Sequence, residues 1–191
     1  MLSHDDYHKY KGDLGSLLQH RFNPCPDAAC ATQCKCWRRD KDDCQICFGS
    51  AQTVSFFTNT PLVLIVQIED ETQRDQTVVW DVPINFRLST EDKNGNISYA
   101  TYVLVGRAFH HSFGSGHFTS QVYIRGIGRC FYDDTDYGGR LRPALTTESG
   151  IEWLSGRHKP TPQSGTCAVI FRLNGGLNTQ IKATRSQQRM L

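Results

Sequence analysis

Short apolar runs separated by glycine, proline and polar turn residues fill the chain from residue 51 to residue 173. Runs of this length that are rich in β-branched and aromatic residues predict β-strands. The run 62–68 is apolar on both faces, which is typical of a fully buried strand, and we expect it in the centre of a sheet. Because the connections between runs are short, the strands should pair mainly antiparallel. Further strands are predicted at 78–88 (broken at Pro83), 99–109, 118–124, 130–133 and 167–173.

The segments on either side of this strand region have different patterns. Residues 4–22 carry apolar residues at helical spacing, and Gly12 and Gly15 weaken that helix. Residues 23–50 are polar and rich in cysteine, and residues 146–154 predict a short capped helix. The fold class that follows is α+β. We assign an N-terminal helix and a small cysteine-rich, finger-like segment to 1–50, a mainly antiparallel β-sheet domain to 51–175, and a flexible tail to 176–191.

The composition is that of an ordinary globular protein. With 191 residues, of which 38% are hydrophobic and 21% charged, the chain can form one domain with a real core, or one domain with a small satellite. The formal net charge of +2 gives no general attraction to nucleic acid or anionic lipid. The first residues are polar and lack the apolar core of a signal peptide, and the longest apolar run is too short to span a bilayer. We expect an intracellular protein, cytoplasmic or nuclear, without a membrane partner.

Six of the eight cysteines lie between residues 25 and 47. Without a secretory signal, such a cluster predicts a metal site rather than a disulfide framework. Cys44 and Cys47 have the spacing that lets two thiolates reach one tetrahedral zinc ion. The second pair of ligands has two candidates, Cys25 with Cys30 and Cys34 with Cys36. We predict a structural zinc ion held by Cys44, Cys47, Cys25 and Cys30, and the alternative is a set of reduced surface cysteines.

Basic and aromatic residues beside this cluster raise a second alternative, a zinc-dependent module that binds nucleic acid. They are Trp37, Arg38, Arg39 and Lys41. Acidic residues interrupt this charge, and no recognition-helix pattern follows. A solvated loop is therefore favoured over a nucleic-acid interface.

A histidine and a pair of aspartates form the candidate chemistry of the strand region. His117 follows a bend rich in glycine, and Asp133 and Asp134 end the next strand but one. A histidine acts as a general base near neutral pH when one ring nitrogen faces the nucleophile and the other donates to a carboxylate. His117 and Asp133 provide this pair if their strands are adjacent. The plainer interpretation is that His117 ends a hairpin and the aspartates begin a turn.

An ordered series of motifs resembles the C-terminal half of the ubiquitin-specific protease family of cysteine deubiquitinases. It covers roughly residues 44–173. The resemblance implies the palm-like part of a papain-like cysteine peptidase fold, with His117 as general base, Asp133 as the orienting acid and Asp134 as a second polar group near the oxyanion. It also implies ubiquitin or a ubiquitinated protein as partner, and thiol-dependent hydrolysis of isopeptide bonds as the activity of the intact family. The motifs are 61–68, 82–88, the tyrosine-led strand 102–105, the loop 111–116, Gly116-His117-Phe118, Tyr132-Asp133-Asp134 and 167–173.

The cysteine nucleophile of that family has no counterpart in this sequence. Cys25 follows Asn23-Pro24 and Cys30 follows Ala28-Ala29, and neither has the preceding glycine and asparagine of the family's cysteine box. Cys130 and Cys167 lie in strand-like runs, where a small buried apolar role is expected. A thiol hydrolase without its thiol forms no acyl-enzyme. We therefore expect the chain alone to be inactive, either as the His/Asp half of a deubiquitinase or as a ubiquitin-binding or scaffold remnant.

Overall fold

A computed structural model of the chain describes residues 2–22, 31–33, 36–40, 43–47, 50–52, 60–68, 79–91, 97–111, 116–136, 138–144, 152–157 and 164–188, with backbone pairing alone over 31–52. In chain order the elements are helices α1 (His4–Lys9) and α2 (Leu14–Phe22), strands β1 (Ala31–Gln33), β2 (Cys36–Asp40), β3 (Asp43–Cys47), β4 (Ser50–Gln52), β5 (Val63–Gln67), β6 (Asn85–Glu91), β7 (Ile97–His111), β8 (His117–Ile124), β9 (Gly128–Asp133) and β10 (Arg142–Pro143), a 3₁₀ helix at Glu152–Leu154, strand β11 (Ser164–Leu173), and helix α3 (Gly176–Gln188).

Seven of the described strands form one sheet, in the order β10-β9-β8-β7-β11-β5, with β6 also paired to β7. Strand β7 is the longest and has three partners. Its first part pairs with β6, its last part with β8, and its opposite edge with β11. All of the pairings in this sheet are antiparallel. The prediction of a mainly antiparallel sheet with a few helices, an α+β arrangement, is therefore confirmed.

The predicted central position of 62–68 differs from the structure. Among the described strands, β5 lies at the end of the order and pairs with β11 alone. Val63 and Ile65 are 50% and 63% exposed. A run that is apolar on both faces indicates that both faces favour burial, but it does not say which strand lies beside it. The prediction was wrong because lateral order depends on long-range pairing.

The main core lies between one face of the sheet and helix α2. Leu14, Leu17 and Leu18 of α2 are buried, and their spacing of three and four residues puts them on one side of the helix. Burial of each such leucine stabilises the fold by about 1.5–3 kcal/mol. The aromatic residues of this core are Trp80, Phe86, Tyr102 and Phe171.

The single helix predicted over 4–22 is divided in two. Helix α1 begins with a capping box between Ser3 and Asp6, and it ends before Lys11 and Gly12, which have φ of 51° and 76°. Asp13 then accepts from the Ser16 amide at 3.0 Å and begins α2. Arg21 of α2 reaches back to both oxygens of Asp6 at 2.9 and 2.8 Å, so the two helices are joined by charge as well as by sequence.

The C-terminal residues also differ from the expectation of a flexible tail, since 176–188 form helix α3. Gln180 of this helix donates its side-chain amide to the Thr60 carbonyl at 2.9 Å. None of the helices in the described part of the chain is both long and apolar enough to cross a membrane.

Candidate active site

The candidate site lies where β7, β8 and β9 run side by side. His117 is the first residue of β8 and is in register with His111 of β7, while Thr119 is in register with Asp133 of β9. Side chains two residues apart along a strand share a face, so His117 and Thr119 project to the same side of the sheet. Gly116, with φ of 76°, directs the chain into β8, as the glycine-rich bend predicted.

Both ring nitrogens of His117 lie close to carboxylate oxygens. His117 Nε2 is 3.0 Å from Asp133 Oδ1, and His117 Nδ1 is 2.7 Å from Asp134 Oδ1. The second contact is short, but its angles are not those of a hydrogen bond, and the Nδ1 atom is buried without a hydrogen-bond partner. The histidine side chain is 26% exposed, and those of Asp133 and Asp134 are 11% and 41% exposed. Nε2 is thus held against the buried carboxylate of Asp133, and Nδ1 faces the more exposed carboxylate of Asp134.

A turn after β9 fixes the carboxylate of Asp133. Its Oδ1 atom accepts hydrogen bonds from the Thr135 amide and the Thr135 hydroxyl, both at 3.0 Å, and from the Asp136 amide at 3.1 Å. Burial raises the pKa of Asp133, but these bonds and the one from His117 outweigh it and lower the pKa to about 2. Asp133 is therefore a carboxylate at neutral pH.

A second histidine stands beside the pair. The ring centroids of His111 and His117 are 5.5 Å apart, and His111 Nε2 is 2.9 Å from the Thr119 hydroxyl oxygen. Burial lowers the pKa of His111, and so do the charges of His117 and His110, against the opposite effect of Asp133. These effects favour the neutral form of His111 beside the site.

Sequence reasoning did not assign the supporting residues His111, Thr119 and Thr135. The signals were present. Thr135 follows Asp133 by two residues, which is the spacing of an aspartate turn. Thr119 follows His117 with the period of a strand, so the two share a face.

The arrangement of His117 and Asp133 is that of an oriented general base. When Nε2 carries the proton and donates to Asp133, the lone pair on Nδ1 is the one that can accept a proton from a nucleophile. In this structure Asp134 occupies the approach to Nδ1, so a nucleophile reaches the ring after Asp134 turns away. An ionised Asp134 offers acceptor atoms alone, and its predicted part in stabilising an oxyanion stays a prediction.

The described thiols do not complete the site. Cys130 is buried and lies opposite Val122, five positions along β8 from His117, or roughly 16 Å at about 3.3 Å per residue. Its sulfur is 3.9 Å from the Gly128 carbonyl. Cys167 lies on β11 and is partly buried. The position of Cys130 agrees with the small buried role that the sequence predicts, whereas Cys167 is only partly buried.

The cysteine-rich segment contains two antiparallel ladders. Strand β1 pairs with β4 and β2 pairs with β3, and both ladders keep one register. This pairing places Cys36 opposite Cys47 and Cys44 opposite Arg39. Cys25 and Cys30 lie outside the described residues. The zinc site proposed for Cys44, Cys47, Cys25 and Cys30 stays a prediction.

The sequence matches no protein-family model, and it matches no curated protein.

Proposed function

We propose that this chain supplies the His/Asp half of a ubiquitin-specific protease-like catalytic domain, in a palm-like sheet of the papain-like type. The intact site would remove ubiquitin from intracellular proteins by thiol-dependent hydrolysis of isopeptide bonds. His117 acts as base and then as acid, and Asp133 orients its ring. The thiol comes from a segment outside the described residues.

The observation that carries the proposal is the contact between His117 Nε2 and Asp133 Oδ1 at 3.0 Å. A turn with three hydrogen bonds holds the carboxylate of Asp133, which orients the ring, and the other ring nitrogen is open to a nucleophile once Asp134 turns away. The ordered motifs between residues 44 and 173 support the choice of reaction class. Cys44 and Cys47 lie just before the proline-opened strand, as the second zinc-binding pair of that family does, although the family's first pair lies far upstream and all the candidate ligands here are close together in the chain.

The test begins with the transcript upstream of Met1. An in-frame cysteine box there gives a longer protein in which cleavage of a fluorogenic ubiquitin substrate can be measured. We expect His117→Ala to lower turnover by about 10²–10⁴-fold, the usual contribution of a general base. Asp133→Asn should lower turnover as well, while Asp136→Asn, on the same turn, should leave it unchanged because Asp136 acts on Asp133 through its amide.

The second candidate is a protein that binds ubiquitin without cleaving it. It is favoured by Asp134, which closes Nδ1 of His117, and by the distance of Cys130 from the ring. Titration of isotope-labelled ubiquitin with the chain tests both candidates. If the chain binds ubiquitin and no cysteine box lies upstream, the result supports the non-cleaving binding protein. If the chain does not bind ubiquitin and no cysteine box lies upstream, both candidates are contradicted.

A further inference from the structure

We propose that His117 and Asp134 form a binding site for a divalent transition-metal ion, with Asp133 as the outer partner that fixes the histidine ring. The ion binds the ring through Nδ1 and takes a carboxylate oxygen from Asp134, and water completes its coordination. Binding of the ion does not depend on the proposed function. The competition of the ion with a nucleophile for Nδ1 rests on that function.

The contact between His117 Nδ1 and Asp134 Oδ1 carries the first step. The two atoms are 2.7 Å apart, yet Nδ1 is buried and makes no hydrogen bond. Two donor atoms that bind one ion at 2.0–2.2 Å from neighbouring positions of an octahedron, 90° apart, lie about 3 Å from each other. The short, unbonded approach is therefore close to the spacing of two ligands of one metal ion.

The other ring nitrogen carries the second step. A metal-binding histidine commonly donates its free N–H to a carboxylate, which sets the tautomer and makes the ring a better ligand. His117 Nε2 stands 3.0 Å from Asp133 Oδ1, and Asp133 is itself held by Thr135 and Asp136. With the proton on Nε2, the lone pair of the ring is on Nδ1, the atom that lies beside Asp134.

The local charge also favours a cation at this position. Within the described residues, the ion pairs of Asp133 and Asp134 involve His117 and no lysine or arginine. These three side chains are the one group in the described part of the chain with metal-ligand atoms in mutual reach, all within 4.8 Å. A divalent cation would balance the two carboxylates.

The ligand chemistry selects the class of ion. One imidazole and carboxylate oxygens suit manganese, iron, nickel and zinc, whereas the thiolates of the cysteine-rich segment select softer ions. Asp134 is 41% exposed and can turn to admit the ion. An ion on Nδ1 would hold the lone pair that a nucleophile needs, so the site would act as a metal-dependent inhibitor of the base.

The test uses Mn²⁺ with the full, reduced chain, because thiolates are poor ligands for Mn²⁺ and the cysteine-rich segment should not compete for it. Loss of the free Mn²⁺ signal in electron paramagnetic resonance gives the affinity, and paramagnetic broadening in NMR gives the location. We expect broadening centred on His117 and Thr119. Asp134→Asn and His117→Gln should weaken binding about tenfold or more, and Asp133→Asn by about 10–100-fold through the ring.

Asp136→Asn is the matched control, since it removes a carboxylate from the same turn and should leave the affinity unchanged. Asp134 is exposed, so its substitution should preserve the fold, which the amide spectrum verifies. No uptake at millimolar Mn²⁺, broadening centred elsewhere, or equal affinity of Asp134→Asn and the parent chain overturns the proposal. A ubiquitin titration of the same samples reports on the proposed function separately, because it needs no metal.

Discussion

At the level of single residues, the orientation of His117 depends on one oxygen atom. Asp133 Oδ1 faces the ring and also accepts three hydrogen bonds from Thr135 and Asp136. These donors favour the ionised carboxylate over the protonated one, which explains why the pKa falls although the group is buried. The turn therefore supplies both the position and the charge of the group that orients the His117 ring.

The Thr135 hydroxyl offers a direct test of this account. Thr135→Ala removes one of the three donors of the turn, so the pKa of Asp133 should rise from about 2 toward its ordinary value of 3.8. Thr135→Ser keeps the hydroxyl and should leave the pKa unchanged. Carboxyl-carbon NMR during a pH titration measures both. Equal values in the alanine and serine variants would show that the hydroxyl bond has no part in the shift.

At the level of elements, the separation of α1 from α2 rests on Gly12. A Cβ atom at this position would meet Tyr7 Cε2 at 2.7 Å, and the backbone has φ of 76°. Gly12→Ala should therefore lower the free energy of unfolding by about 1–2 kcal/mol because alanine disfavours the left-handed backbone. The clash of the new Cβ atom with Tyr7 should lower it further.

Gly126 is the matched control for Gly12. Its φ is 86°, and nothing lies within 4 Å of an added Cβ atom. Gly126→Ala should thus show the backbone cost alone. Urea unfolding of the two variants separates the steric cost from the backbone cost. An equal loss of stability in both variants would contradict a steric role for Tyr7.

A buried arginine joins three elements around β7. Arg107 is fully buried and donates to the carbonyls of Leu154 and Gly156, both at 3.0 Å, and to the Thr166 hydroxyl at 2.6 Å. Burial lowers the pKa of Arg107 to about 10, against the charge of Asp81, so it remains a cation at neutral pH. The guanidinium thus fixes the segment after the 3₁₀ helix against β11.

Replacing this arginine should cost more than replacing an exposed one. Arg107→Met leaves buried acceptors unsatisfied, and we expect a loss of about 3–5 kcal/mol in the free energy of unfolding. Arg172→Met, on the exposed side of β11, should change it by less than about 0.5 kcal/mol. Urea midpoints of the two variants measure the difference. If Arg107→Met lowers the free energy of unfolding by less than about 1 kcal/mol, the hydrogen bonds of Arg107 are not essential to the fold.

At the level of the whole molecule, the predictable features are those set by local pattern. The strands β7, β8, β9 and β11 lie within a few residues of the runs that predicted them, because alternation and turn residues act over short distances. The short connection from β8 to β9 makes them neighbours, and this neighbourhood is what brings Asp133 to His117.

The features that the sequence did not predict depend on distant partners. Strand β5 is apolar but lies at the end of the described sheet, and Arg107 is polar but buried among carbonyls that are far away in the chain. Helix α3 has few apolar residues and packs through Gln180. The position of Asp134 at Nδ1 depends on side-chain rotation, which no spacing rule describes.

The stability of the whole molecule should fall in acid through carboxylates in separate parts of the fold. Burial raises the pKa of Asp6, but its bonds to Ser3 and the charge of Arg21 lower it below the ordinary value. The Ser16 hydroxyl lowers the pKa of Asp13, and the turn lowers that of Asp133 to about 2. These groups lie at the start of α1, at the start of α2 and at the end of β9.

The sign follows from proton binding. Each folded pKa lies below the unfolded value of 3.8, so the unfolded chain binds more protons in this range. The stabilisation is complete above that value and is lost as the pH falls from about 4 toward 2. Urea midpoints measured across this range should decline for the parent chain. They should decline less steeply for Asp13→Asn and for Asp133→Asn, whereas Asp5→Asn, an exposed position on α1, should follow the parent curve. Parallel curves for all four proteins would mean that the acid sensitivity arises in other groups.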